Sequence, residues 1–247
     1  MKSEADQRNL ERPTLVLRGS GVSCRVQQWS YQPTTAQLVL YQQAQLPSLT
    51  DLQQWGDRLR SLGYTTVRTT ALAATAAHRA EAAGYRCIQE LVLLAHVEPS
   101  RSRRIAGLGP LAATHRLATD QHVAASAIDL AAFGTDWALD AHAIDGVCTA
   151  TPRHRARSAG SPSGAYAISG RDAKQGFLQR LAVHPTLQRQ GLGRALVHDS
   201  LQWAARWRVQ RVLVNTPVDN EPALALYEQF GFRRLGEQLR VYELELR

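Results

Sequence analysis

Residues 181–196 read Leu181-Ala182-Val183-His184-Pro185-Thr186-Leu187-Gln188-Arg189-Gln190-Gly191-Leu192-Gly193-Arg194-Ala195-Leu196. An apolar strand, Phe177–Val183, runs into a glycine-containing turn, and the turn opens a helix predicted over Gly191–Arg206. Gly191 and Gly193 remove side chains where the backbone must come close to a partner. The first-turn N–H groups of a helix have no partner of their own, and the positive end of the helix dipole stands behind them. Such a place suits a phosphate, and Arg189 and Arg194 add positive charge at its rim.

Two common phosphate-binding patterns fail here. A Walker loop needs Lys followed by Ser or Thr after its second glycine, and the residues are Arg194-Ala195. A dinucleotide fingerprint needs Gly or Ala where Leu196 stands and an acidic residue after the next strand, which ends in Asn215. The pairs Gly19/Gly21 and Gly107/Gly109 read as turns.

Working outward, periodicity divides the chain into four zones: a polar, mobile stretch over 1–13, an αβ unit over 14–98, a Pro/Gly/Arg linker over 99–113, and a larger αβ unit over 114–247. In the first unit, strands are expected at Leu15–Leu17, Cys24–Val26, Gln37–Tyr41, Tyr64–Leu72 and Cys87–Val97. Helices are expected over 51–62, capped by Ser48 or Asp51, and over Ala73–Ala83, with Gly63 and Gly84 ending them. The second unit predicts a strand at His115–Ala118 and a helix from Thr119 or Asp120 to Phe133. A helix over 138–149 and strands at Arg153–Ser158 and Tyr166–Ser169 follow, then a turn over Gly170–Gly176. Beyond the quoted helix come a strand at Val209–Asn215, a helix at Glu221–Phe230 and a closing strand or strand pair at Arg233–Leu246. The two units end alike, with Trp55 and Gly84 matching Trp203 and Gly231, a faint internal repeat.

Hydrophobic residues make up 44% of the 247, which suits a packed core and not a disordered chain. No apolar run of about eighteen residues appears, and the first residues lack the apolar centre of a secretory signal, so a cytoplasmic protein without a membrane partner is expected. Cys24, Cys87 and Cys148 lie far apart and read as reduced thiols, not as a disulfide frame or a zinc site. The net charge of +8 favours polyanionic partners, but all but two of the 29 basic residues are arginine, a compositional habit. The dense run Arg101, Arg103 and Arg104 has no aromatic stacking platform beside it, so it reads as a solvated linker and no nucleic acid is expected.

The quoted stretch resembles the GCN5-related N-acetyltransferase (GNAT) family. The family's pyrophosphate motif is matched by Gln188, Gly191 and Gly193, its preceding strand by Leu181–Pro185, and its second cofactor segment by Asn220–Phe232 with Tyr227 and Gly231. The resemblance implies a mixed α/β (α+β) sheet of the GNAT acyltransferase fold, preceded by a smaller, degenerate GNAT-like unit. That unit has Ala80 in place of Tyr227 and no glycine motif, so no cofactor is expected there. It implies acetyl-CoA as acyl donor, no metal, and a small-molecule or peptide amine as acceptor, in a monomer or homodimer. By the same resemblance, backbone groups of Leu181, Ala182 and Val183 hold the pantetheine arm. The N–H groups across Arg189, Gln190, Gly191, Leu192, Gly193 and Arg194 hold the pyrophosphate, Asn220 bonds the cofactor, and Tyr227 protonates the departing thiolate.

An alkyl amine is mostly protonated near neutral pH, so a base is expected. Some family members carry a Glu on the strand before the loop; Phe177–Val183 has no carboxylate. The base is therefore unassigned, with His184, Asp219, Glu228 and Asp140 as weak candidates and a water relay or a low-pKa α-amine as substitutes. Phe133, Trp137 and Asp140 fall where the family places acceptor contacts. The alternative function is a non-catalytic acyl-CoA-binding regulatory protein.

Overall fold

The computed structural model describes residues 15–40, 47–99, 112–160 and 163–247. The expected mobile stretch 1–13 and most of the linker, with Arg101, Arg103 and Arg104, lie outside these residues. The chain packs as two compact units, one of residues up to Glu90 together with Leu239–Arg247, the other of Leu91–Gln238. The first unit thus takes its last strand from a distant part of the sequence, which no linear division anticipates.

The first unit comprises β1 (Leu15–Arg18), β2 (Ser23–Trp29), β3 (Gln32–Leu40), α1 (Leu49–Ser61), β4 (Thr66–Thr69), α2 (Ala74–Ala82) and the start of β5 (Arg86–Val97). β3 and β4 run parallel, and Thr66–Arg68 pair antiparallel with Glu243–Glu245 of the long closing strand β11 (Arg233–Glu245). Trp55 and Leu59 of α1 are buried against Leu38, Val67 and Tyr242. A capping box starts α1: the Asp51 carboxylate accepts from Ser48 N at 2.8 Å, and Asp51 N donates to Ser48 Oγ at 3.1 Å. The expected strand Tyr64–Leu72 shrinks to Thr66–Thr69, with Leu72 forming an isolated bridge to Arg240.

The second unit comprises β6 (Thr114–Arg116), α3 (His122–Trp137), α4 (Ala141–Thr149), β7 (Arg153–Ala159), β8 (Ala165–Arg171), β9 (Gln175–Val183), α5 (Leu192–Arg206), β10 (Arg211–Pro217) and α6 (Glu221–Gln229). Its sheet runs β5–β10–β9–β8–β7–β6, with Leu91–Val97 of β5 antiparallel to β10. One face buries Leu178, Val212 and Val214 beneath α5 and α6; the other buries Tyr166, Ile168 and Ala182 beneath α3 and α4. On the first face Asp199 of α5 is held to β7 by Nε and Nη2 of Arg155, at 2.6 and 3.0 Å, and to β6 by Thr114 at 3.1 Å.

Two boundaries differ from expectation for local reasons, and the choice between a closing strand and a strand pair is resolved. The expected turn over Gly170–Gly176 tightens to three residues, because the Asp172 carboxylate accepts from Lys174 N and Gln175 N at 2.7 Å each. The helix begun at Thr119 opens as a 3-10 turn, and α3 breaks at Gly134, whose φ is 67° and ψ 176°. The ending at Arg233–Leu246 is one strand, not a pair.

Candidate active site

β9 pairs in parallel with β10 only over Gln175–Phe177 and Arg211–Leu213. Beyond Phe177 the two strands part. β9 stays paired with β8 up to Ala165–Val183, but with a register shift: Ile168 faces Arg180 while Ser169 faces Leu178, so Gln179 is an extra, bulged residue. A bulge bends and twists its strand, and it lies where the divergence begins. The β10-side backbone edge of Leu178–Val183 is therefore open to an extended ligand. Ala182 turns into the α3 side of the core, whereas Leu181 and Val183 pack toward α5 and α6.

The chain then crosses a 3-10 turn at Pro185–Leu187 and two left-handed residues, Arg189 (φ 63°) and Gly191 (φ 83°). Gly191 is the N-cap of α5, and no side chain caps this helix. Its first helical bond is Ala195 N to Gly191 O, so the preceding N–H groups face outward unpaired by the helix. The two glycines serve different ends. A Cβ on Gly191 would meet nothing within 4 Å, so its requirement is the left-handed φ, whereas a Cβ on Gly193 would lie 3.3 Å from Leu226 of α6. Gln188, Arg189 and Gln190 are exposed, and Arg194 is half-buried with its Nε unbonded.

Tyr227 of α6 is buried, with its ring 5.7 Å from that of Phe232. Burial pushes its phenol pKa up, partly opposed by the positive charge of Arg180. Asn220 caps α6 through its carbonyl, which accepts from Ala223 N at 3.2 Å, so its amide N–H2 is the part left to meet a ligand. The structure thus brings together an open strand edge, an uncapped helix start and a buried phenol.

The model of the Acetyltransferase (GNAT) family matches residues 117–232. This match, a little under half of the chain, holds the strand edge, the uncapped helix start and Tyr227. Mycobacterium tuberculosis N-alpha-acetyltransferase RimI is 35% identical over 92 residues, 36% of this chain and 56% of that protein. Mouse N-acetyltransferase family 8 member 3 is 38% identical over 74 residues, 30% of this chain and 33% of its own. The Escherichia coli K12 [ribosomal protein bS18]-alanine N-acetyltransferase is 37% identical over 68 residues, 28% and 46% of the two chains. The matches thus span a third to just over half of these relatives. Among solved structures, a tandem GNAT protein from the clavulanic acid biosynthesis pathway superposes with a TM-score of 0.63 at 16% identity, covering 93% of this chain and 81% of its own. A Sphaerobacter thermophilus GCN5-related N-acetyltransferase gives 0.61 at 16% identity, covering 92% and 77%. At such identity the likeness is one of fold.

In the GNAT domain the four weak base candidates are engaged elsewhere or exposed. His184 Nδ1 bonds Thr186 Oγ1 at 2.8 Å and caps the 3-10 turn. Glu228 pairs with Arg234 at 2.9 Å, Asp140 caps α4 by accepting from Ala143 N at 2.7 Å, and Asp219 is exposed in a turn. Asp140 is thus a cap residue, while Phe133 and Trp137 are drawn to β9 by a residue the sequence reading missed, Arg180. Its guanidinium lies 3.8 Å from the Phe133 ring centre, donates to Trp137 O at 2.9 Å, and grips the fully buried Asp129, with Nε 2.8 Å from Oδ2. Asp129 also accepts from Leu139 N at 2.6 Å and from the Tyr166 hydroxyl. Burial disfavours the Arg180 cation, but the bonds and charge of Asp129 outweigh it and raise the arginine pKa. A lone cation within an apolar strand was the available signal. Among the described residues no cluster of His, Cys, Asp and Glu is arranged to hold a metal, and no helix is long and apolar enough to cross a membrane.

Proposed function

We propose that the GNAT domain transfers an acetyl group from acetyl-CoA to an amine by direct attack in a ternary complex. The supporting observation is the divergence of β9 from β10 beside the uncapped start of α5. The open edge of Leu181–Val183 would hold the pantetheine arm as an added strand, and the N–H groups from Arg189 to Arg194 would hold the pyrophosphate. The amine nitrogen bonds to the acetyl carbon, the carbon–sulfur bond breaks, and the sulfur leaves as a thiolate. Tyr227 donates the proton: a phenol held above its usual pKa of about 10 stays protonated at neutral pH, and a thiol pKa near about 8.5 leaves a thiolate in need of stabilisation.

The missing carboxylate narrows the acceptor. An α-amine, with a pKa of about 7.7–8.0, is already partly neutral at pH 7 and needs no strong base. We infer a peptide N-terminal α-amine, consistent with the names of the M. tuberculosis and E. coli relatives. In the first unit, the helix start corresponding to that of α5 is occupied by its own Asp51 carboxylate, which supports a single donor site per chain. The second reading, an acyl-CoA-binding protein without transfer, draws on the same lack of a free base. Free-thiol release with a panel of α-amino peptides, amino acids and polyamines tests the choice. Turnover with α-amines supports transfer, and binding of acetyl-CoA with no turnover on any acceptor supports the second reading.

A further inference from the structure

The end of the GNAT domain opposite the uncapped start of α5 gathers six cations. Arg153 and Arg171 are cross-strand neighbours on β7 and β8. Lys174 lies in the β8–β9 turn, and Arg211 opens β10 beside Gln175. Arg206 and Arg208 stand at the close of α5, and Gln210 N donates to Lys174 O at 2.8 Å, joining that end to the turn. All are exposed except the half-buried Arg171, and none forms an ion pair among the described residues. Among the described residues of these segments the carboxylates are Asp172, already bonded to the turn backbone, and Glu98.

Trp207 stands among these cations, 54% exposed. The Arg171 guanidinium covers one face of its ring at 4.1 Å. Among the described residues Trp207 is the most exposed aromatic of the domain, and the core does not explain its position. The negative end of the α5 dipole accounts for Arg206 and Arg208, but not for Arg153, Lys174 or Arg211. Nor does the expected pyrophosphate seat: at about 1.5 Å per residue, the 15 residues of α5 separate the two by roughly 22 Å.

We propose that this end of the domain binds single-stranded nucleic acid, with phosphates on the arginines and one base stacked on the open face of Trp207. Cations tracking a backbone beside an aromatic platform are the elements such binding uses. The sequence lacked an aromatic beside Arg101–Arg104; the fold supplies one at a different basic cluster. A membrane surface would ask for several apolar side chains, and among the described residues only Val97, next to Arg211, is large, apolar and exposed there beside Trp207.

Fluorescence anisotropy of the full chain with a labelled oligouridine tests this. With about four phosphate contacts, affinity should fall about 50-fold between about 50 and 200 mM salt. The variant Arg206→Glu/Arg208→Glu/Arg211→Glu should lose more than about tenfold in affinity and show a flatter salt dependence. Trp207→Ala should weaken the single strand by about 5- to 150-fold with an unchanged salt slope, and leave a duplex unaffected. Saturating acetyl-CoA should not displace the strand. Should the triple variant fail to fold by circular dichroism, Arg153→Glu/Lys174→Glu probes the same rim. Absent or salt-independent binding, unchanged affinity in Trp207→Ala, or displacement by acetyl-CoA overturns the proposal. So does equal binding to phosphatidylserine vesicles with the same sensitivity to Trp207→Ala.

Discussion

Replacing Asp129 with Asn should be among the most damaging isosteric changes in the GNAT domain. Asp129 is fully buried and accepts from two nitrogens of Arg180, from Leu139 N and from the Tyr166 hydroxyl. Asparagine keeps one oxygen but turns an N–H2 toward groups that are themselves donors. It also leaves the Arg180 charge without its counter-ion. Stranding one member of a buried ion pair costs about 3–5 kcal/mol, and because the Arg180 side chain is 19% exposed the low end, about 3 kcal/mol, applies. With a urea slope of about 2 kcal/mol/M, the midpoint of the domain's unfolding should fall by about 1.5 M. Removing both charges, in Asp129→Asn/Arg180→Met, should cost less than the two single changes added together, by about 2 kcal/mol or more, because no charge is left stranded. Urea unfolding followed by tryptophan fluorescence measures all three variants. A loss below about 1 kcal/mol for Asp129→Asn, or a double variant whose loss equals the sum, would refute the reasoning.

Tyr227→Phe should slow acetyl transfer by about 100-fold while acetyl-CoA affinity stays within about twofold; unchanged turnover would remove Tyr227 from the role of acid. Burial alone would raise the Asp199 carboxyl pKa, but the hydrogen bonds and charges of Arg155 and then Arg157 outweigh burial and hold it below the usual range. Its stabilisation is therefore complete above the unfolded pKa of about 3.9 and is lost as pH falls through the lower folded value, so Asp199→Asn should flatten the acid limb of a stability–pH curve. Asp51→Ala removes the reciprocal half of the α1 capping box and should cost the first unit about 1–2 kcal/mol in thermal or urea unfolding, without changing how many acetyl-CoA molecules the chain binds.

Much of this was legible before the structure because it is local. The strand–turn–helix from Phe177 to Arg206, the left-handed Gly191 and the placement of Tyr227 on α6 all follow from short-range pattern. Gly84 and Gly231, matched in the faint repeat, both sit at left-handed positions just past α2 and α6. What escaped the sequence depends on distant partners. Leu239–Arg247 completes the sheet of the first unit because Tyr242 is buried in its core with Leu244 and Leu246 packed against it, and nothing local announces that choice. Arg180 is a cation in an apolar strand, and its partner Asp129 lies 51 residues away. The basic cluster around Trp207 escaped as well, because only the packing of α5 beside the β8–β9 turn brings that ring to Arg171.

The most direct test of the acetyl-CoA seat at the start of α5 is calorimetric titration of acetyl-CoA into the whole chain and into Gly191→Val. A valine costs about 1–2 kcal/mol at φ 83° but meets no atom within 4 Å, so the variant should fold while its N-terminal turn no longer presents the N–H groups in register. The expected result is one molecule bound per wild-type chain and none to a folded Gly191→Val. Two bound per chain, or a variant that binds as tightly as the wild type, would contradict the account.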